Sequence, residues 1–143
     1  MRIIKFIVLL FLVVNSCYCQ SINKIVYSEK GGEMGTDTIA MITKDSIIIK
    51  YLYKDIEIKQ ATEKVFWDSL IKSITINDIK KIQSTKSVQE IDLIDTSLIV
   101  ETRNGNYGFY NGMIDRIKNM EVYNFMITIE NKLREMTLKF HGK

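Results

Sequence analysis

Three carboxylates close together in the sequence, Glu90, Asp92 and Asp95, are the side chains best suited to chemistry. A pair of converging carboxyl groups can hydrolyse a glycosidic bond, one as acid and the other as nucleophile or base. Their spacing does not match a calcium loop, with its alternating Asp or Asn ligands and following glycine. Carboxylates at i and i+3 of a strand also point to opposite faces. We therefore predict a solvated turn here, with a carboxylate-dependent glycan or peptidoglycan hydrolase as an alternative.

Other side chains that catalysis or metal binding usually needs are scarce. The one histidine, His141, lies two residues from the C-terminus, where we predict a frayed tail over 138–143. A general base must be held within hydrogen-bonding distance of its target, which a frayed tail does not achieve. One histidine and two cysteines, Cys17 and Cys19, make no ligand set typical of zinc. We expect no catalytic residue, no cofactor and no metal site.

Tyrosines on predicted strands are the remaining candidates for a binding surface. A row of strand tyrosines offers apolar area with a polar tip and can hold a sugar or an extended peptide. The alternative is that these tyrosines pack across strands beneath the helices. Alternation favours this alternative for Tyr51 and Tyr53, because both share a face with the isoleucines of their strand. Trp67 has apolar neighbours at helical spacing and is predicted to be core. The candidate binding residues are Tyr51, Tyr53, Tyr107 and Tyr110.

Two periodicities predict the elements that would position these side chains. Alternation of β-branched or aromatic residues predicts strands, and recurrence every three to four residues predicts helices. The predicted strands are 22–30, 36–43, 47–54, 96–102 and 107–110. Residues 55–60 either extend the third strand or pair as a short fourth one. The predicted helices are one of about 12 residues with Thr62 as N-cap, a short turn at 77–82, and a C-terminal helix with an apolar stripe from Val122 to Met136.

The order of these elements predicts the fold class. Strands, helix, strands, helix is typical of an α+β fold, here an antiparallel sheet of five or six strands in two groups with helices packed on one face. Asn104-Gly105 lies between two apolar runs and predicts a tight hairpin, because both central residues of such a turn need positive φ. Residues 20–143 are expected to form a single globular domain, since about 124 residues suffice for one core.

The first 19 residues have the layout of a secretory signal peptide. Arg2 and Lys5 precede an apolar run over 6–14, and small residues follow up to Cys19. This run is too short for a membrane span, which needs roughly 20 residues. Two outcomes stay open: cleavage after Cys19, or lipidation of Cys17 as the first residue of a lipoprotein. We predict an exported protein, periplasmic or secreted, that is membrane-anchored only if Cys17 carries lipid.

Loss of this leader would leave a nearly neutral protein. Arg2 and Lys5 are two of the 20 basic residues, so 18 would remain against 17 acidic ones. Nucleic-acid binding needs a concentrated basic face, so no nucleic-acid partner is expected. Neither outcome leaves two cysteines for an internal disulfide, and stability must then come from the core.

From Asp45 to about Leu133 the sequence resembles a group of small exported proteins of Bacteroidetes type. The matching features are Asp45-Ser46 opening a strand, Trp67 followed by Leu70, the Asn77-Asp78-Ile79 turn, Asp95 before a strand, the Asn104-Gly105 hairpin and the closing amphipathic helix. The chain departs from the group at Ser84-Thr85, where Pro-Ser is usual, and at Tyr110-Asn111-Gly112, where Phe-Asp-x-Gly is frequent. The resemblance implies the fold and the export of the protein, and it implies no activity.

These observations predict a non-catalytic binding or accessory domain of the cell envelope. Its partner would be an envelope protein, a peptide or a glycan. A second hypothesis is a lipoprotein subunit of an envelope complex, with lipid on Cys17 and an apolar patch docked on a partner. The third is the carboxylate-dependent hydrolase.

Overall fold

The computed structural model describes three stretches of the chain: residues 21–31, 36–87 and 93–142. The predicted leader, including Cys17, and the carboxylates Glu90 and Asp92 lie outside these stretches. Within them the chain forms one antiparallel six-stranded sheet and three helices, which confirms the α+β prediction. None of the helices in these stretches is long and apolar enough to cross a membrane.

The six strands pair only with antiparallel neighbours. They are β1 (Ile22–Gly31), β2 (Thr36–Thr43), β3 (Ser46–Tyr51), β4 (Ile56–Ala61), β5 (Ile94–Thr102) and β6 (Gly105–Tyr110). Their order in the sheet is β4-β3-β2-β1-β5-β6, with β1 and β2 at the centre. The chain therefore builds four of the six strands as a meander, makes two helices, and returns to add β5 and β6 beside β1.

Two turns differ from the sequence prediction. The third strand ends at Tyr51 rather than at residue 54, and Asp55, at φ 48°, turns the chain into a separate strand β4. The hairpin between β5 and β6 is confirmed, but its type is not. Gly105 has φ 134°, whereas Asn104 is not among the described residues with positive φ. Because Thr102 already pairs with Gly105, the two turn residues are Arg103 and Asn104, one position earlier than predicted.

The three helices are α1 (Lys64–Lys72), α2 (Ile76–Lys80) and α3 (Met120–His141). The N-cap of α1 is Glu63, so the prediction of Thr62 was wrong. The Thr62 hydroxyl instead donates to the Thr43 carbonyl at 2.8 Å and ties the approach of α1 to the sheet. The short predicted helix is present as α2, with Thr75 and Asp78 forming a capping box at its N-terminus.

Helix α3 runs further than its apolar stripe predicts. It continues to His141, so the predicted fraying of the tail is wrong over residues 138–141. Contacts near the end of the helix provide the physical reason. Thr137 and Tyr51 share a hydrogen bond of 2.6 Å between their hydroxyls, and Lys139 pairs with Glu135 one turn earlier.

All three helices cover the same face of the sheet. The strand residues that are fully buried, such as Ile25, Ile42 and Val100, occupy alternate positions on that face. They form one cluster with buried helix residues, including Phe125 of α3 and the predicted core residue Trp67 of α1. The opposite face has no helix over it in the described part of the chain, and we call it the open face.

Asp95 is a buried carboxylate on the open-face side of β5. Its side chain is only 2% exposed, so the prediction of a solvated turn is wrong at this residue. It accepts hydrogen bonds from Ser87 Oγ and Asn111 Nδ2, each at 2.6 Å, and a very short one from the Tyr110 hydroxyl. That bond, with partial desolvation, raises the pKa of Tyr110.

A backbone connection explains why Asp95 is covered. The stretch before it folds back along the end of β6, where Thr85 N donates to the Tyr110 carbonyl at 2.9 Å. Asn111, at φ 45°, donates its side-chain amide to the Lys86 carbonyl at 3.0 Å. Asp95 therefore joins the 84–87 segment to the last hairpin, and sequence spacing alone does not reveal this pairing.

We expect Asp95→Ala to lower the free energy of unfolding by about 3 kcal/mol, because it removes the buried carboxylate that accepts hydrogen bonds from Ser87, Tyr110 and Asn111. Chemical denaturation followed by circular dichroism measures this change. Asp45→Ala removes an exposed carboxylate from the β2–β3 turn and is the matched control, with an expected change below about 0.5 kcal/mol. Equal stability of the two variants would show that Asp95 does not hold the hairpin in place.

Candidate functional site

A cavity of about 330 Å³ lies between the sheet and the C-terminal half of α3, and we call it the α3 pocket. Its volume is at the lower end of the range for small-molecule sites. The sheet contributes Tyr27, Glu29, Thr38, Ile49 and Tyr51, and α3 contributes Glu130, Leu133, Arg134, Thr137 and Leu138.

Strand register places the sheet side chains of the pocket. Glu29, Thr38 and Tyr51 are cross-strand neighbours in one row on the helix-covered face. In the next row Ala40 lies between Tyr27 and Ile49. From the helix, residues 130, 134 and 137 project on one side because they are spaced three or four apart.

The hydroxyl of Tyr27 lies between two carboxylates. It is 2.7 Å from Glu29 Oε1 and 3.0 Å from Glu130 Oε1. A phenol carries one proton and can donate it fully to only one acceptor at a time. While both carboxylates are ionised, one of the two contacts therefore lacks a full hydrogen bond. The centre of the pocket has one acceptor more than it has donors.

The two carboxylates also repel each other. Because both lie within 3.0 Å of the same phenol oxygen, their oxygens are at most about 6 Å apart, and the repulsion is about 0.7 kcal/mol in bulk water or about 3 kcal/mol at an effective dielectric constant of 20. No lysine or arginine in the described stretches forms an ion pair with Glu29 or Glu130. A bound cation would reduce this repulsion.

The environment of Tyr27 disfavours its ionised form. Burial raises the pKa of the Tyr27 phenol, and the charges and hydrogen bonds of Glu29 and Glu130 raise it further. The phenol is therefore held neutral, as a donor toward the carboxylates.

The rest of the wall combines hydroxyls with apolar surface. Tyr51 and Thr137 share the 2.6 Å hydrogen bond that closes one side of the pocket. Leu133 and Leu138 supply apolar area from α3. Arg134 also lines the pocket, and it forms no ion pair with any residue in the described stretches. A ligand here would meet two carboxylates, an arginine and a short apolar wall.

The four tyrosines selected from the sequence do not lie in one row. Tyr51 lines the α3 pocket, whereas Tyr53 is 83% exposed in the turn after β3. Tyr107 faces the helices, with the Lys80 ammonium 4.7 Å from its ring centroid, and Tyr110 lies on the open-face side. Because β3 and β6 are separated by three strands, these groups are about 19 Å apart across the sheet. Only Tyr51 belongs to the pocket.

Sequence analysis missed the central group of the pocket, Tyr27, Glu29 and Glu130. One signal was present, since Glu29 shares the alternation of Ile25 and Tyr27 and so places an acidic residue on the helix-facing side of β1. Nothing in the sequence indicates that Glu130, 101 positions later, reaches the same hydroxyl. That contact depends on how α3 crosses the sheet.

The arrangement fits binding better than hydrolysis. Carboxyl groups about 5–5.5 Å apart are typical of retaining glycosidases, but here the Tyr27 hydroxyl lies between the two carboxylates. Asp95, the described member of the predicted acidic group, is occupied by the hairpin contacts. No group of three or more His, Cys, Asp or Glu side chains within the described stretches could hold a metal ion.

We expect Tyr27 to resist ionisation in the folded protein. Its folded pKa lies above the unfolded value of about 10, so the stabilising contribution is complete below that pH. It is lost as the pH rises further, because only the unfolded chain releases the proton readily. A spectrophotometric alkaline titration should show one tyrosine ionising only as the protein unfolds.

Two variants assign that late step. Tyr27→Phe should remove it, while Tyr53→Phe, which alters an exposed tyrosine, should reduce only the earlier signal. If Tyr27→Phe reduces the early signal instead, the phenol is not held neutral by its surroundings.

Comparisons with known proteins add no relative to this description. A scan of the sequence against models of protein families gives no match, and a search of curated proteins finds none that is similar. The function must therefore be inferred from the geometry of the pocket and the surface of the fold.

Proposed function

We propose that this protein is a non-catalytic, exported domain of the cell envelope that binds a ligand through a cationic group in the α3 pocket. The observation that carries this proposal is the single phenol proton of Tyr27 placed between the carboxylates of Glu29 and Glu130. The N-terminal segment, with Arg2 and Lys5 before an apolar run over 6–14 and small residues up to Cys19, supports export, and the pocket supports binding.

An ammonium group has the chemistry that the pocket lacks. It offers three donors and no acceptor, so it could donate to Glu29, to Glu130 and to the oxygen of Tyr27 together. Charge-assisted hydrogen bonds of this kind are shorter and about twice as strong as neutral ones. The cation would also offset the repulsion between the two carboxylates.

The walls indicate what the cation is attached to. Leu133 and Leu138 can contact an apolar stem such as the aliphatic chain of lysine. Arg134, which has no described ion-pair partner, is available for an anionic group on the same ligand. A short stem with an ammonium at one end and a carboxylate nearby is typical of an amino acid or a peptide end, so we favour a peptidic ligand over a glycan.

We expect lysine to bind to the protein in isothermal titration calorimetry, and norleucine, which lacks the side-chain ammonium, to bind at least about 10-fold more weakly. Glucosamine carries an ammonium on a sugar, so its affinity tests whether the ligand is a glycan instead of a peptide. Glu130→Gln should weaken lysine binding about 10-fold, which corresponds to about 1.4 kcal/mol. Glu121→Gln changes an exposed acid in the first turn of α3, away from the pocket, and should leave the affinity unchanged.

Several results would contradict this assignment. Equal affinity for lysine and norleucine would show that the side-chain ammonium of lysine is not recognised, and equal loss in the two glutamate variants would place the effect outside the pocket. Turnover of a peptidoglycan or glycan substrate, lost in Glu130→Gln, would replace binding with catalysis as the function.

The intact mass of the protein recovered from the envelope of the producing cell tests its export. We expect the mass of a chain cleaved after Cys19, without further modification. A mass that includes a diacylglyceryl group on Cys17 would instead support the lipoprotein hypothesis. A protein that retains residues 1–19 and stays in the cytosol would contradict export.

A further inference from the structure

The open face carries an apolar stripe across the sheet. Strand register aligns one outward residue from each strand in a row perpendicular to the strands. From β6 to β4 that row is Gly108, Ile99, Val26, Met41, Ile48 and Lys59. Four consecutive members are apolar, and Ile99 is 39% exposed.

Rows that each carry an ion pair flank this stripe on both sides, and Ile39 extends the apolar surface into the row of Lys50. One contains the ion pair between Lys24 and Glu101, at 2.8 Å, and the other contains the pair between Lys50 and Glu57, at 3.1 Å. A central apolar region with a polar rim is the usual anatomy of a protein interface.

We propose that the open face is a homodimer interface, in which a second copy of this chain stacks its own open face against the first. The twofold axis runs parallel to the strands and passes between β1 and β2. It places β3 over the partner's β5 and β4 over the partner's β6. The α3 pocket lies on the other side of the sheet, so it stays open on both copies and the dimer does not depend on the pocket ligand.

The area of the face fits a dimer of modest affinity. Six strands about 4.8 Å apart, each with about 20 Å of outward surface, make a face of roughly 550 Å². Two copies would bury about 1,100 Å², close to the lower limit of about 1,200 Å² for specific interfaces. Face-to-face sheets of this kind pack about 10 Å apart with their strands within about 30° of each other.

The side chains on the face are complementary under this axis. Strand register places Ile48 of one copy over Ile99 of the other, and Met41 over Val26, so the apolar stripes of the two copies coincide. Lys59, at the end of the stripe, meets Gly108, which has no side chain.

Charged residues beside the stripe face uncharged polar residues of the other copy. Lys24 meets Thr43, Glu101 meets Ser46 and Lys50 meets Ser97 in the other copy. No two like charges oppose each other in these pairs, which matters because such juxtapositions oppose association strongly. The face is thus compatible with itself in both its apolar and its charged parts.

Sedimentation velocity over a range of concentrations tests the proposal, on protein expressed from the full coding sequence and purified as the cell processes it. We expect a monomer–dimer equilibrium with a dissociation constant on the order of micromolar, because interfaces at the lower size limit are typically weak or transient. Met41→Lys places a charge at the centre of both stripes and should raise the dissociation constant at least about 100-fold. Val65→Lys adds the same charge at an exposed apolar position of α1 and should change it less than about 2-fold.

Ile99→Lys provides a second test at a more exposed position, should Met41→Lys fail to fold by circular dichroism. It should also shift the equilibrium to monomer. A wild-type protein that stays monomeric up to about 500 µM would overturn the proposal, since even a weak specific interface should associate there. A dimer that persists in folded Met41→Lys and Ile99→Lys would overturn it as well, because the contact would then lie elsewhere.

Discussion

Burial of one face of the sheet beneath the helices is the interaction on which the rest of the structure depends. A side chain the size of isoleucine contributes about 1.5–3 kcal/mol when it is fully buried, and β1, β2, β3 and β5 each place such residues under the helices. The same alternation that buries these positions exposes the ones between them. Because the helices cover only one face of the sheet, the α3 pocket forms beneath them and the other face remains open.

The polar centres at Asp95, Lys132 and Tyr27 differ in how well their hydrogen bonds are satisfied. Asp95 receives hydrogen bonds from Ser87, Tyr110 and Asn111. Lys132 of α3 is 9% exposed and pairs with Glu63 and Glu135. Burial lowers the pKa of Lys132, but the hydrogen bonds and charges of these two glutamates outweigh that effect and raise it. These two centres join segments that are distant in sequence.

The third centre, at Tyr27, is different because acceptors outnumber donors there. Glu29 and Glu130 are half-exposed, so their oxygens can accept from water or from a ligand in the cavity, and a ligand that brings its own donors suits this excess of acceptors. This imbalance separates the α3 pocket from the structural contacts around Asp95 and Lys132. It is the reason for assigning binding to the pocket and structure to the other two.

Local pattern in the sequence determined the elements and the class of the fold. The strands, the short capped helix, the apolar stripe of α3 and the burial of Trp67 follow from period-two and period-3.6 spacing, which act through nearest neighbours along the chain. Errors arose where a distant segment decided the outcome. Thr62 bonds to Thr43 instead of capping α1, and Asp95 is covered by the 84–87 segment. The early end of β3 is different, since a local turn through Asp55 causes it.

Tertiary structure alone decided which side chains meet. Glu29 and Glu130 reach one phenol because α3 passes from β1, where Glu130 meets Tyr27, to β3, where Thr137 meets Tyr51. The apolar stripe becomes continuous because register aligns Ile99, Val26 and Met41. Both depend on crossing angle and strand offset, which are set by the packing of whole elements. Side-chain types in a sequence carry the chemistry, but their distances in space come from contacts between residues far apart along the chain.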